Sequence, residues 1–193
     1  MSRRLSFALC LLLAFWLAVA SAAEHPFPNA KSPPIACTIR SEPTCALGKT
    51  PKIAVEIANW TGEAIHLVHV LDGSDCKWRY PLCYFEVVGP NGEPVTRKLA
   101  RCGNMNPLVE SDIVPVPRGG KLDLGAAPSY QLAPGLFAVA GDYRIRFVYS
   151  TDSPKIESWL GDGKPSDKLA ALLALVPKAT VSSNEITVKV VGE

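Results

Sequence analysis

Four stretches of the chain alternate apolar and polar residues with a period of two. A β-strand with one buried face has this pattern, because successive side chains point to opposite faces of the sheet. We therefore predict a strand at each stretch. The apolar positions of the four predicted strands are Ile53, Val55 and Ile57; Cys83, Phe85 and Val87; Tyr143, Ile145, Phe147 and Tyr149; and Ile186, Val188 and Val190.

Prolines and turn-forming residues separate these strands. All 17 prolines follow residue 25 and are spread almost evenly, so few windows are long enough for a regular helix. Turn residues occupy 59–62, 89–92 and 118–120, and Asn91-Gly92 is the strongest hairpin signal among them. Short strands joined by such turns predict an all-β fold, an antiparallel β-sandwich rather than a parallel sheet.

Residues 151–180 depart from this pattern and form a predicted insertion before the last strand. Ser166 can cap a short helix that begins at Asp167, continues to about Leu175 and ends before Pro177. We expect this helix to close one end of the sandwich, and a partner-binding helix is the alternative. Its predicted apolar face consists of Leu169, Leu172, Leu173 and Val176.

The N-terminal residues 1–22 have the three parts of a secretory signal peptide. Two arginines precede an apolar run over 5–19, and small residues follow it, so we predict cleavage after Ala22 or Ala23. The run is shorter than the ~20 residues that a membrane span needs. We therefore expect an exported protein, periplasmic or secreted, with no membrane span after cleavage and a proline-rich leader over 23–34.

The charge and length of the chain that remains after cleavage of the signal peptide exclude some classes of function. Loss of Arg3 and Arg4 lowers the formal charge from +2 to 0, because every acidic residue follows the signal peptide. A chain without a net basic charge has no field that attracts nucleic acid, so we expect no nucleic-acid partner. Residues 35–193 are long enough for one domain with its own core.

Five cysteines follow the predicted cleavage site. In an oxidising compartment their usual role is disulfide bonding, and an odd number leaves one thiol free or shared between chains. The connectivity stays open, although Cys76 and Cys83 bracket a short loop and are our first choice of pair. The five are Cys37, Cys45, Cys76, Cys83 and Cys102.

The segment Ala140-Gly141-Asp142-Tyr143, with the alternating residues 144–147 after it, resembles the penultimate strand of immunoglobulin-like domains. In that fold a tyrosine near the strand start bonds back to the preceding corner through its hydroxyl. The resemblance implies an immunoglobulin-like antiparallel β-sandwich, with the one short helix inserted before the last strand.

The order of motifs over residues 35–150 is similar to two families of small β-sandwich proteins. These are the bacterial intracellular proteinase inhibitor domain and the prodomain of deuterolysin-type metallopeptidases. The similarity includes residues 47–50 before the first predicted strand, 89–92 after the second, and the proline- and glycine-rich 114–120. Neither family supplies a residue role to carry over. The resemblance implies a fold, and inhibition of an exported peptidase as an alternative function.

Few side chains in the sequence suggest a catalytic or metal-binding role. His66 and His69 are three residues apart on a predicted strand and would point to opposite faces, so we expect no shared metal site. No serine or cysteine has a histidine and a carboxylate in a recognised catalytic spacing. We therefore predict neither an enzyme nor a cofactor. Asn59-Trp60-Thr61 fits the N-glycosylation pattern.

The loop at residues 72–82 is the strongest candidate for a binding surface. Trp78, Arg79 and Tyr80 lie together there, and these residue types dominate protein-binding hot spots. The alternative is that Trp78 and Tyr80 fold back as a lid on the core. We predict an accessory or interaction module that binds another protein through loops 72–82 and 100–112.

Overall fold

A computed structural model describes residues 33–95, 106–161 and 163–192. These residues form ten β-strands and two short α-helices, which confirms the all-β class. The predicted signal peptide, most of the predicted leader and Cys102 lie outside the described residues. The elements are β1 Ile35–Ser41, β2 Thr44–Ala46, β3 Ile53–Asn59, β4 Ile65–Val68, β5 Leu82–Val88, β6 Ile113–Val116, β7 Lys121–Gly125, β8 Gly141–Ser150, α1 Glu157–Leu160, α2 Asp167–Ala174, β9 Thr180–Ser182 and β10 Ile186–Val191.

The described strands form three sheets. Sheet 1 has the order β1-β3-β7, sheet 2 has the order β2-β10-β8-β5 with β9 also against β8, and β4 pairs with β6. All pairings are antiparallel except that of β2 with β10, which is parallel. The mainly antiparallel pairing agrees with the prediction, and this parallel pair is the exception among the described strands. At this edge the chain leaves sheet 1 after β1, and β2 pairs with β10 at the edge of sheet 2.

The alternating residues of the predicted strands form the core between sheets 1 and 2. Ile53, Val55 and Ile57 from β3 are fully buried, as are Ile145 and Phe147 from β8, and they share one apolar cluster. Residues that alternate with them along β3 and β8 are more exposed, because their side chains point away from the facing sheet. Removal of this apolar surface from water is the main force that holds the two sheets together.

A second apolar cluster lies outside the two sheets and contains the predicted helix. The Ser166 hydroxyl accepts a 3.1 Å hydrogen bond from the Leu169 amide, as an N-cap does. The Tyr149 hydroxyl donates to the Val68 carbonyl at 3.2 Å and connects this cluster to the main core. The buried members of the second cluster are Val68, Leu108, Ile113, Trp159, Leu160, Leu169, Leu173 and Val176.

The helix prediction was correct for α2 but missed α1. Helix α1 is only four residues long, so it has no apolar period that a sequence pattern could reveal. It forms because Trp159 and Leu160 are buried in the second cluster, where the Trp159 indole donates to the Ser153 carbonyl at 3.4 Å.

Candidate functional site

The loop at residues 72–82 is held in place by a buried arginine. The Arg79 side chain is 1% exposed; its Nε donates to the Asp72 carbonyl at 2.7 Å, and its Nη1 donates to the Asn106 carbonyl at 2.8 Å. Burial lowers the pKa of Arg79, whereas the carboxylates of Asp72 and Asp112 raise it. Arg79 therefore acts as an internal support of the loop rather than as a surface group.

Tyr80 also turns inward. Its ring centroid lies 5.4 Å from that of Trp159, and its amide donates to the Ser158 carbonyl at 2.8 Å. This contact packs the loop on the second apolar cluster. The fold-back alternative therefore describes Tyr80 better than a role as an exposed binding group.

Trp78 is the one member of the predicted trio that lies on the surface, with 42% of its side chain exposed. Its amide donates to the Gly73 carbonyl at 3.0 Å, and the preceding Lys77 has a φ of 60°. A non-glycine residue in this left-handed region costs about 1 kcal/mol or more, so the surrounding bonds hold the turn in a set shape. The structure does not bring Trp78, Arg79 and Tyr80 onto one surface. Partner binding through them stays a prediction.

The two predicted contact loops adjoin each other over their described parts. The Asn106 amide donates to Asp72 Oδ2 at 2.8 Å, in addition to the bond between Asn106 and Arg79. Residues 100–105 lie outside the described residues.

A groove of about 630 Å³ lies beside the loop and runs along β5. The loop, the outer edge of β5 and the residues after β7 form its walls, and most of its lining side chains are apolar. Phe85 is half-buried there, and its ring centroid lies 4.8 Å from that of Phe147 in the core. The lining residues are Asp75, Lys77, Tyr84, Phe85, Glu86, Val87, Val88, Pro94, Val95, Gln131, Leu132 and Leu136.

This groove has a mixed set of polar groups at its borders. The Lys77 ammonium lies 5.7 Å from the centroid of the Tyr84 ring, and Glu86 is exposed on β5. A largely apolar groove with a few polar groups is suited to binding and orienting a ligand. Sequence analysis missed it because its walls are distant in the chain and only the fold brings them together.

The expected disulfide between Cys76 and Cys83 is not formed. Among the described residues, Cys37, Cys45 and Cys83 take part in no disulfide. Cys83 points into the core, where the Gln131 amide donates to its sulfur at 3.3 Å, whereas Cys76 is partly exposed. The alternating pattern already assigned Cys83 to the buried face of its strand, and the choice of Cys76 and Cys83 as a pair did not take this into account.

The two buried thiols are poor nucleophiles. Burial is the main cause that raises the pKa of Cys83 to about 12, and burial together with the nearby Cys83 raises the pKa of Cys37 to about 12. The thiolate is the reactive form of cysteine, and very little of it is present at neutral pH for such groups.

The histidines occupy different positions relative to β4. His66 lies within the strand, but the strand ends at Val68, so His69 lies beyond it. His69 Nδ1 is 3.0 Å from the Asp112 carbonyl oxygen, which fits a protonated Nδ1. Across the described ranges no group of three histidine, cysteine or acidic side chains could hold a metal ion.

The glycosylation pattern at Asn59 does not form an accessible site. Asn59 is 1% exposed, and its amide nitrogen lies within 3.0 Å of the carbonyl oxygens of Glu63, Val116 and Pro117. Its Oδ1 accepts from the Thr61 hydroxyl at 2.7 Å. This side chain therefore stabilises a turn and would have to leave the core to be modified.

Comparison with known proteins identifies no matching family model and no matching curated protein sequence. Among the described residues, no helix is both long enough and apolar enough to cross a membrane.

Proposed function

We propose that this chain is an exported, non-catalytic immunoglobulin-like β-sandwich that binds another protein. The observation that carries the proposal is the apolar groove along β5, next to the loop that presents Trp78. Exposed aromatic side chains beside a concave apolar surface are common where proteins bind their partners.

The order of strands supports the immunoglobulin-like part of the proposal. In that fold, strands A, B and E share one sheet, and strands C, F and G share the other. Here β1, β3 and β7 form sheet 1, and β5, β8 and β10 are neighbours in sheet 2. The Tyr143 hydroxyl also donates to the Val139 carbonyl at 3.0 Å, as expected for the tyrosine that ties the penultimate strand to its corner.

The N-terminal sequence supports export. A basic start, an apolar run and small residues before the predicted cleavage site are the features by which signal peptides are recognised. The partner would then be another protein of the cell envelope, the cell surface or the medium.

Chemical cross-linking tests the groove. The purified mature protein is incubated with envelope and secreted fractions of its host, and the cross-linked products are compared with those of Leu136→Glu. Leu136 is half-buried in the groove wall, so a carboxylate there should repel an apolar partner. We expect the variant to lose the products that the wild type forms.

Val139→Glu is the matched control, because Val139 is 62% exposed and lies outside the groove. It adds the same charge and should keep the products. Trp78→Ala is compared in the same assay. A lower yield of cross-linked product from this variant would show that the contact surface includes the loop. Equal recovery from the wild type and Leu136→Glu would exclude the groove as the binding surface.

A further inference from the structure

The outer edge of β2 carries backbone groups that β10 does not use. Among the described strands, β2 pairs only with β10. The Lys189 amide donates to the Pro43 carbonyl at 2.8 Å, so the carbonyl of residue 43 faces β10. Residues two apart in a strand point their backbone groups to the same edge, so residue 45 also faces β10. Thr44 and Ala46 therefore point their backbone groups to the opposite, outer edge.

This outer edge is open to solvent. Thr44 and Ala46 are both exposed, and the structure describes the chain without a break from residue 33 to residue 95, on both sides of β2. Among the described residues, the Thr44 amide, the Thr44 carbonyl and the Ala46 amide have no hydrogen-bond partner. The Ala46 carbonyl accepts from the Lys49 amide at 3.0 Å, and its second lone pair can accept another bond. A strand of another molecule could pair here without displacing part of this chain.

We propose that the outer edge of β2 pairs with the same edge of a second copy of this chain, in a two-fold symmetric dimer. The two strands run antiparallel about Cys45, so Thr44 of each copy lies opposite Ala46 of the other. The Thr44 amide and carbonyl then bond to the Ala46 carbonyl and amide of the second copy, and the two-fold axis repeats both bonds. The dimer joins the two copies of sheet 2 into one continuous sheet.

The charges on either side of β2 favour a second copy as the partner. Glu42 precedes the strand and Lys49 follows it; both are exposed, and neither forms an ion pair among the described residues. Antiparallel pairing about Cys45 brings Glu42 of each copy beside Lys49 of the other, so two favourable ion pairs form. Parallel pairing of two copies would place Glu42 beside Glu42 and Lys49 beside Lys49. The charge pattern of this segment is therefore complementary to itself in the antiparallel direction.

Apolar side chains at the same edge add to the contact. Leu47 is 44% exposed and Val191 is 40% exposed, and the Leu47 amide donates to the Val191 carbonyl at 2.8 Å. Two exposed apolar residues therefore lie together at the end of β2, and such groups mark interaction surfaces more often than isolated ones. Leu47 and Pro43 are each two residues from Cys45, so the register brings Leu47 of one copy to Pro43 of the other.

Sedimentation equilibrium of the purified mature protein measures the dimer, and reversal of the two charges tests its register. We expect the wild type to form a dimer that dissociates on dilution. Glu42→Lys and Lys49→Glu should each weaken the dimer at least about threefold, because each variant brings like charges together twice. A mixture of the two variants should form a mixed dimer with the affinity of the wild type, because every lysine then meets a glutamate. Both side chains are exposed, so neither substitution disturbs the core.

Two results of this experiment would overturn the inference. One is a protein that stays monomeric up to about 1 mM. The other is a dimer that neither reversal weakens, or that the mixture does not restore, because such a dimer would use another surface. β2 and β5 lie at opposite edges of sheet 2, so the dimer leaves the groove open. The inference and the proposed function therefore fail separately.

The backbone hydrogen bonds are tested with two matched variants. Thr44→Ala and Thr44→Pro both lose the hydroxyl, but only proline loses the amide, and a strand edge tolerates proline where the N–H points outward. We expect the dimer of Thr44→Pro to be at least about tenfold weaker than that of Thr44→Ala, because each dimer loses two hydrogen bonds. Equal affinities would contradict strand pairing at this edge.

Cys45 provides a measurement on the wild-type protein, which covers the case in which the proline variant fails to fold. In the proposed register the two copies of Cys45 form a non-hydrogen-bonded pair with Cα atoms about 4.5 Å apart, which is within the range of a disulfide. Cys45 is partly exposed. Diamide accepts two electrons and two protons from two thiols and becomes a hydrazine, while the two sulfurs form a disulfide.

We expect diamide to convert the wild-type dimer to a covalent dimer, in which peptide mapping identifies Cys45 bonded to Cys45. Cys45→Ser should still sediment as a dimer but should give no such product. Covalent dimers that form to the same extent in the wild type and in Cys45→Ser would overturn this register. Failure of diamide to cross-link a wild-type protein that sediments as a dimer would overturn it as well.

Discussion

Arg79 Nη1 donates a 2.8 Å hydrogen bond to the carbonyl of Asn106 and thereby joins two loops that are far apart in the sequence. A second bond, from Arg79 Nε to the Asp72 carbonyl, fixes the other side of the guanidinium. The buried arginine lies next to the exposed Trp78, so the residue that supports the loop and the residue that the loop presents are neighbours in the chain.

Arg79→Ala should destabilise the protein by about 2–4 kcal/mol, because it removes a fully buried side chain and two charge-assisted hydrogen bonds to partly buried carbonyls. Trp78→Ala should change the free energy of unfolding by less than about 1 kcal/mol, because its side chain is 42% exposed and belongs to neither apolar cluster. Urea denaturation of both variants measures the difference. Equal effects of the two substitutions would contradict the roles assigned to these residues.

Tyr143→Phe should lower the free energy of unfolding by about 1 kcal/mol. The substitution keeps the buried ring, which packs 5.1 Å from Phe137, and removes only the hydroxyl that donates to the Val139 carbonyl. Thermal unfolding measures the effect. Tyr130→Phe is the control, because it removes the same chemical group, a tyrosine hydroxyl that donates to a carbonyl, but at a more exposed position and away from this corner. An unchanged midpoint for Tyr143→Phe would show that the corner bond contributes no stability.

Alkaline pH should destabilise the protein through its buried thiols. Cys37 and Cys83 have a pKa raised from an ordinary 9.0 to about 12 by burial, so the folded state keeps its protons where the unfolded state loses them. Their contribution is fully present below pH 9.0 and is lost as the pH rises from 9.0 to about 12.

The free energy of unfolding should therefore fall over this range, by up to about 1.4 kcal/mol per pH unit for each thiol. Urea titrations at several pH values measure the slope. A Cys37→Ala, Cys83→Ala double variant should be less stable at neutral pH and should show a shallower slope. The same slope in both proteins would mean that the thiols are not the groups that titrate.

Export predicts a defined mature N-terminus. Cleavage after Ala22 or Ala23 would leave a chain that begins at Ala23 or Glu24, and the intact mass of the exported protein distinguishes these two forms. Leu13→Arg interrupts the apolar run and should keep the full-length chain in the producing cell. Export and cleavage of that variant would be inconsistent with a signal peptide at this position.

The sequence alone determined the features that depend on local pattern. The period-two alternation predicted β3, β5, β8 and β10 because a strand exposes alternate side chains to opposite faces. Ser166 predicted the start of α2 because a hydroxyl can satisfy the free amides of a first helical turn. The resemblance to immunoglobulin-like domains implied a bond from Tyr143 to the preceding corner, and this contact spans only four residues.

The tertiary structure decided what depends on residues distant in the chain. Trp78 and Arg79 are neighbours in the chain, yet Arg79 is buried and Trp78 is exposed. Arg79 can be buried because the fold places the carbonyls of Asp72 and Asn106 within hydrogen-bond distance of its guanidinium. The alternation assigned Cys83 to the apolar face of β5, but only the fold shows that Cys76 lies outside the core cluster to which Cys83 belongs. The groove exists because the fold places the segment after β7 at a distance from the edge of β5. The burial of each side chain and the exposure of each strand edge are set by this long-range packing rather than by local sequence.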